Sequence, residues 1–347
     1  MIFSKKNMMK TLKKAVAIAM IITQTASCQM KETPEWTPEI CHPENKYRIE
    51  LVEDKITTLQ GIDANLPFGG SSGFWGDSGK AWTAQNGTPT GADVTYYSGY
   101  EDAFYHLDVK FPKEKLNALL GSKKFRKAAN LNFGNREDKI QNFDGLMFGF
   151  APKGMVVIWL RFGSVTVELD RFQATKIDDD KALEEKYFSD KSSTRKEIRD
   201  RDFIPDASPE KWDFYRKRSF MPIEITSENK GFKLFENDIF YFNGEKEIQI
   251  RPEILNEDEQ SRAIPKQLNI FWETSNDEKF EGRIFFNEEK IINVFREIKN
   301  DQKTKLLVKI SADNKSFELS LNGKKIELDS SKVYKSKVIY KDSYDSF

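Results

Sequence analysis

The sequence predicts an α+β protein that is rich in β-structure, with two related antiparallel-sheet units in tandem, joined by a polar helical segment. Short runs of alternating apolar and polar residues recur along the chain and end at turn-forming residues, as strands do. Two amphipathic helices stand in equivalent places, so each unit has the order strand-strand-helix-strand-strand. With 38% hydrophobic side chains and 27 phenylalanines in 347 residues, the chain can bury a sizeable core.

Residues 1–27 have the three-part plan of a signal peptide. Five lysines precede a short apolar run at 15–22, and the small residues Thr25, Ala26 and Ser27 follow it. Residues 1–27 contain no acidic residue. This run is far shorter than the roughly 20 residues that a membrane-spanning helix requires. We therefore predict export and removal of this segment.

Cys28 directly follows these small residues and resembles the cysteine of a lipobox, which implies that Cys28 carries the lipid of a bacterial lipoprotein. Several acyl chains would then hold the protein at a membrane. Thr25 stands where Leu is usual in a lipobox, and the same small residues also suit ordinary secretory cleavage. In that alternative, Cys28 and Cys41 could pair in an oxidising compartment. Otherwise Cys41 is a lone structural thiol.

The predicted location is the cell envelope, with the chain anchored to the outer membrane on its periplasmic or surface face. Gln29 follows Cys28, whereas an Asp at this place often retains lipoproteins at the inner membrane. Residues 28–46 are predicted to form an extended tether. The prolines that favour an extended chain there are Pro34, Pro38 and Pro43.

Residues 47–178 are predicted to form the first β-rich unit, residues 179–215 the polar helical linker, and residues 216–347 the second unit. The helices begin near Pro112 and Asn287. Their apolar residues have helical spacing and are Leu116, Leu119 and Leu120 in one helix and Ile291, Val294, Phe295 and Ile298 in the other.

A hairpin is predicted after each helix, at 155–162 with 165–172 in the first unit and at 306–311 with 316–321 in the second. An insertion at 121–150 would account for the different spacing in the two units. A chance similarity of short patterns is the alternative to a true duplication.

Charge and composition exclude several function classes. The chain has 55 basic and 55 acidic residues, and removal of the five leader lysines leaves 50 and 55, a net charge of −5. A mildly acidic, mixed surface does not suit a nucleic-acid partner. With two histidines and two cysteines, a His- or Cys-rich metal site cannot be built, and no cofactor is predicted.

The glycine-rich segment that begins at Gly69 contains a literal G-x-S-x-G sequence. A nucleophile elbow requires a strand before it and a helix after it, whereas loop residues follow here. We therefore predict no catalytic residues. Trp75 and Trp82 lie in or near this segment, where exposed aromatic residues can serve binding. A loop tucked onto the sheet is the alternative.

One family resemblance is carried by residues of the first unit. The segments 92–98, 148–154 and 156–161 resemble the domain-of-unknown-function 2931 family, whose members are mostly described as putative bacterial lipoproteins. Its most distinctive feature is a Gly-x-Ala-Pro-x-Gly turn before a Val-Trp-Leu-Arg-type strand. The residues that match it here are Gly149, Ala151, Pro152, Gly154, Trp159, Leu160 and Arg161. Segments 263–266 and 284–288 resemble the C-terminal half. The resemblance implies an envelope location, and it supplies no activity and no catalytic residues.

Two function classes remain open. The first is a non-catalytic binding or interaction protein, held at the membrane by its N-terminal lipid and binding a protein or glycan. An immunity lipoprotein against an incoming toxin shares this plan. The second is an envelope hydrolase that acts through carboxylates. A cleft with two carboxylates of opposed pKa shifts would favour the hydrolase, and an aromatic surface would favour binding.

Overall fold

Antiparallel β-sheets build most of the protein, which confirms the predicted β-rich α+β class. The computed structural model describes residues 33–67, 73–77, 83–122, 126–131, 135–140, 142–178, 180–251, 253–255, 260–275, 277–299, 302–336 and 339–340. The predicted signal peptide, Cys28 and Trp82 lie outside the described residues. From Glu35 onwards, the described residues form one compact unit.

The first half of the chain contains eleven of the described strands and one helix. They are β1 (Glu35–Cys41), β2 (Ile49–Thr58), β3 (Gln85–Asn86), β4 (Pro89–Ser98), β5 (Ala103–Lys110), α1 (Lys113–Leu120), β6 (Arg126–Leu131), β7 (Asn135–Ile140), β8 (Gly145–Ala151), β9 (Met155–Phe162), β10 (Val165–Gln173) and β11 (Thr175–Ile177).

The remaining described elements begin with the polar segment and continue to the C-terminal strands. They are α2 (Lys181–Phe188), α3 (Arg195–Asp202), α4 (Glu210–Tyr215), β12 (Ser219–Phe220), β13 (Ile223–Ser227), β14 (Lys233–Tyr241), β15 (Lys246–Ile250), β16 (Ser261–Arg262), β17 (Pro265–Glu273), β18 (Lys279–Phe286), α5 (Glu288–Glu297), β19 (Leu306–Ile310), β20 (Phe317–Leu321), β21 (Lys324–Lys325), β22 (Leu328–Lys335) and β23 (Ile339–Tyr340).

The helices start where the sequence predicts. The Asn287 side chain accepts a hydrogen bond from Lys290 N at 3.1 Å and caps α5, which buries Ile291 and Phe295. In the polar segment, Thr194 caps α3 in a reciprocal capping box with Glu197. The charged faces of α2 and α3 are mostly exposed, as expected for solvated helices.

The large sheet contains strands from both halves of the chain. Among the described residues, its ten strands have the order β22-β18-β17-β14-β15-β10-β9-β8-β1-β3. The halves meet where β10 lies beside β15, with Thr166 opposite Lys246. The other described sheets are β11-β5-β4-β2, β13-β19-β20-β21, β23-β7-β6 and β12-β16.

The predicted tether is wrong over part of its length, because residues 35–41 form β1. This strand pairs in parallel with β8 and buries Trp36, Ile40 and Cys41. The Trp36 indole donates to Gly87 O at 2.7 Å, and the buried Glu39 carboxylate pairs with Arg161. The folded body therefore begins much closer to Cys28 than the sequence predicts.

The family-like turn forms the hairpin between β8 and β9. Gly154 has φ +75°, and a Cβ there would lie 2.5 Å from Ala174 O. Gly154 O also accepts from Ala174 N at 2.7 Å, which ties the turn to the end of β10. Only glycine fits both the backbone conformation and the close approach.

We expect the substitution Gly154→Ala to lower the free energy of unfolding by about 2–4 kcal/mol, because a left-handed backbone and an overcrowded contact are both unfavourable. Gly61→Ala is the matched control. Gly61 has φ +72° with nothing within 4 Å of a Cβ, so this control isolates the backbone strain. Urea unfolding measures the free energy of unfolding of both variants. An equal decrease in the two would contradict the overcrowded contact at Gly154.

Candidate functional site

The aromatic loop, which we define as residues 73–77, is the described part of the glycine-rich segment. Asp77 N donates to Phe74 O at 3.1 Å and closes the loop, and Gly76 has a positive φ of 76°. Gly73 N donates to the Asn45 side chain at 3.2 Å. The loop is therefore folded and fastened to the segment that follows β1.

Trp75 lies against the large sheet and is half-buried. Its ring is 5.0 Å from the Trp159 ring, at an interplanar angle of 86°. A Cβ at Gly149 would lie 2.5 Å from the Trp159 ring and 2.8 Å from the Trp75 ring. The glycine of the family-like motif thus leaves room for two indoles, whose edge-to-face contact stabilises the loop. The Nε1 atom of Trp75 is buried without a hydrogen-bond partner.

The backbone of the loop is held from two further sides. The N–H groups of Gly76 and Asp77 hydrogen-bond the Cys41 sulfur. A Cβ on Gly244 would lie 2.6 Å from the Cα of Gly76, so these two backbones touch. The loop therefore rests on a strand of the first half and on the β14–β15 turn of the second.

Phe74 is the aromatic residue that this arrangement exposes. Its side chain is 65% exposed, at the tip of a loop whose next residue is packed on the sheet. The sequence pointed to Trp75 and Trp82 as candidate binding residues, with a loop tucked onto the sheet as the alternative, and did not single out Phe74. The structure brings Trp75 to the site as support beneath Phe74, and Trp82 lies outside the described residues.

Next to the loop is a buried charged cluster, the ionic junction, formed by Glu168, Arg216, Arg218, Asn243 and Glu245. The Asn243 amide donates to Glu168 Oε2 at 3.2 Å and to Glu245 Oε2 at 3.0 Å. Asn243 O in turn accepts from the Trp159 indole at 3.1 Å. The junction therefore links β10 to the β14–β15 turn.

Two arginines neutralise the carboxylates of the junction. Arg216 donates to Glu168 at 2.9 Å, and Arg218 pairs with Glu245. Burial opposes the charge of Arg218, but the two carboxylates raise its pKa overall, so the guanidinium stays protonated. Both carboxylates are less than 10% exposed. Each is bonded to an arginine and to the Asn243 amide, an arrangement that holds strands together.

Both histidines have structural surroundings. His42 is fully buried, and its Nδ1 lies 2.8 Å from Glu44 O. His106 lies in β5, with its Nδ1 3.1 Å from the Thr95 hydroxyl. Among the described residues, no group of three or more His, Cys, Asp or Glu side chains is arranged to hold a metal ion.

An open groove of about 620 Å³ separates α2 from α3. Two of its cations are already paired: Arg195 contacts Asp102 and Glu184, both at 2.7 Å, and Lys191 contacts Glu50. An anionic ligand would have to compete with these carboxylates.

Cys41 is expected to resist alkylation in the folded protein. It is a free, fully buried thiol, and burial raises its pKa from 9.0 to about 12. Because the pKa is raised only in the folded protein, the thiol does not lower the free energy of unfolding below pH 9. As the pH rises from 9 towards 12, the unfolded thiol ionises first, and the free energy of unfolding falls. Iodoacetamide labelling at pH 8, followed by mass spectrometry, should modify Cys41 only in denaturant. Rapid labelling of the native protein would contradict this placement.

Comparison with known proteins gives one match. The family model described as "Protein of unknown function (DUF2931)" matches residues 22–220, more than half of the chain. The match includes the β8–β9 hairpin and ends at β12, so the C-terminal segments of the predicted resemblance lie beyond it. No curated protein and no solved structure matches the chain.

Within the described part of the chain, no helix has the length and apolar character needed to span a membrane. The distinctive turn and strand residues, from Gly149 to Arg161, all lie in β8, β9 or the turn between them, where they support the aromatic loop and β1. On the extent of the family match, the chain belongs to the DUF2931 family of proteins of unknown function.

Proposed function

We propose that this chain is an exported lipoprotein of the bacterial envelope, anchored through Cys28, which binds a protein or glycan partner through the aromatic loop. The observation that carries the proposal is the 65% exposure of Phe74 on a loop fixed from three sides. A large exposed aromatic side chain on an ordered loop is a frequent anchor of binding surfaces.

The order of the loop supports a binding role. Its contacts with Asn45, Cys41, Trp159 and Gly244 exist before any partner arrives. A partner therefore loses little free energy in ordering the loop on binding. The half-buried edge of Trp75 adds apolar surface beside Phe74.

The anchoring part of the proposal rests on the leader sequence and on the short distance between the cysteine and the folded body. Only six residues lie between Cys28 and Glu35, where β1 begins. Gln29 in place of Asp favours the outer membrane. A body tethered so closely presents its loops to partners within the same envelope layer.

Cys28→Ser is expected to release the protein from the membrane fraction of its host. The native protein should show the intact mass of a chain that begins at Cys28 and carries acyl groups. Retention of the leader, or an unmodified thiol at the mature N-terminus, would contradict the anchoring proposal.

The binding proposal predicts that Phe74→Ser weakens partner capture from envelope extracts at least about 10-fold, the loss typical of a central aromatic anchor. Phe203→Ser is the control, because Phe203 is also an exposed phenylalanine, at 47%. Capture is quantified by mass spectrometry with the mature protein as bait. Equal capture by Phe74→Ser, or turnover of a cell-wall glycan without a specific partner, contradicts the proposal.

We further infer that the two halves arose by duplication, and the strand registers support this. In the first half, residues 53–57 pair with 91–95 between two β-bulges; in the second, residues 236–240 pair with 267–271 between two bulges at the same spacing. A bulge at one place is a specific feature, and two at equal spacing are unlikely to coincide by chance.

Further pairings follow the same pattern. In each half, a strand before the helix pairs in parallel with a strand after it: β1 with β8, and β13 with β19. Ile56 pairs with Ala64 in the first half, and Ile239 pairs with Glu247 in the second. Each residue of the second pair lies 183 positions after its counterpart in the first. By these pairings, the hairpin β19–β20 of the second half corresponds to β8–β9 of the first. The sequence had suggested the next hairpin, β9–β10 at 155–172.

A further inference from the structure

The turn after β2 exposes two large apolar side chains. Leu59 is 73% exposed and Ile62 is 43% exposed. They stand on either side of Gly61, around which there is open space. Two exposed aliphatic residues on one tight turn form a small apolar tip, which we call the apolar turn (residues 58–62).

The apolar turn is ordered and cannot fold its apolar side chains away. The Thr58 hydroxyl donates to Ile62 O at 2.7 Å and accepts from Ile62 N at 2.9 Å. Leu59 N donates to Thr88 O at 2.9 Å, and Thr88 N donates to the Gln60 side chain at 2.8 Å. The turn thus holds Leu59 and Ile62 towards solvent.

The apolar turn lies at the end of the fold where β1, the first described strand, begins. A Cβ on Gly87 would lie 2.7 Å from the Thr58 side chain, and Gly87 O accepts from the Trp36 indole at 2.7 Å. Glu35, the first residue of β1, pairs with Asn86. The apolar turn and the start of β1 are therefore neighbours, joined through residues 86–88.

The length of chain before β1 limits how far this end can stand from the lipid. The seven Cα–Cα steps from Cys28 to Glu35 reach at most about 25 Å even when fully extended. This step rests on the proposed lipid at Cys28. An anchored body must therefore keep the start of β1, and with it the apolar turn, close to the bilayer.

We propose that the apolar turn inserts Leu59 and Ile62 into the surface of the lipid bilayer to which Cys28 is attached. The nearby charges suit a neutral surface better than an anionic one, since Lys55 and Asp63 pair at 3.0 Å and Glu35 at the start of β1 is an exposed carboxylate. Apolar side chains at the boundary of headgroups and acyl chains bind by burial, and the covalent anchor supplies the high local concentration. The turn then fixes the orientation of the body on the membrane.

A lipid-quenching experiment tests the proposal. The mature chain is coupled through Cys28 to a maleimide-headgroup lipid in phosphatidylcholine vesicles, while the buried Cys41 remains unreacted. Leu59→Trp places a fluorophore in the apolar turn. Lipids brominated near the headgroup should quench the added fluorescence at least twofold, relative to unbrominated vesicles.

Phe203→Trp is the matched control. Ile204 N donates to Tyr100 O at 2.8 Å, so residue 203 lies beyond the opposite end of β4, about 30 Å from Thr88. This variant should show no added quenching. Ile62→Trp provides a second reporter if Leu59→Trp does not fold.

The two proposals fail in distinguishable ways. Membrane docking is overturned if neither turn reporter is quenched, or if the Phe203→Trp control is quenched equally. It is also overturned if the turn docks on a protein instead. Chemical coupling supplies the anchor in this experiment, whatever the host attaches. An unmodified Cys28 in the host would overturn the anchoring proposal and leave the quenching result intact.

Discussion

The need to neutralise two buried carboxylates is the constraint on which the rest of this structure depends. Glu168 and Glu245 lie where the two halves meet in one sheet, and a buried charge without a partner is strongly destabilising. Arg216 and Arg218, which follow α4, supply the counter-charges. The ionic junction thus ties the polar segment, β10 and the β14–β15 turn into a single body, and through Asn243 it also fixes the indole of Trp159.

The aromatic loop depends on that arrangement. Gly244 belongs to the same turn as Asn243 and contacts Gly76, while Trp159 supports Trp75 from below. Residues from both halves therefore shape the one surface from which Phe74 projects. The residues that carry the family resemblance act mainly as a scaffold here: Gly149 makes room for the indoles, and Arg161 pairs with Glu39 to hold β1.

Local patterns in the sequence predicted much of the fold, because they depend on near neighbours. The helical spacing at 291–298 and the hairpin residues at 306–321 are of this kind. β1 was missed because Pro38 lies within it and Pro34 directly precedes it. Thr37 N donates to Asp144 O, directly before β8, so the next residue, Pro38, has its ring at the opposite edge of β1. At that edge β3 pairs only with Glu35 and Trp36, and the missing N–H of Pro38 interrupts no pairing. The exposure of Phe74 was hidden for another reason: the residues that hold its loop are up to 168 positions away in the sequence, and no local pattern reports such contacts.

Native-state hydrogen exchange in increasing urea tests the central claim that the ionic junction makes the two halves one cooperative body. The amides to compare are those of β9 in the first half and β17 in the second, since both strands lie in the interior of the large sheet. If the junction couples the halves, both sets of amides open only with global unfolding, at the same free energy. Exchange of β17 through a separate opening of lower free energy, while β9 remains protected, would contradict it.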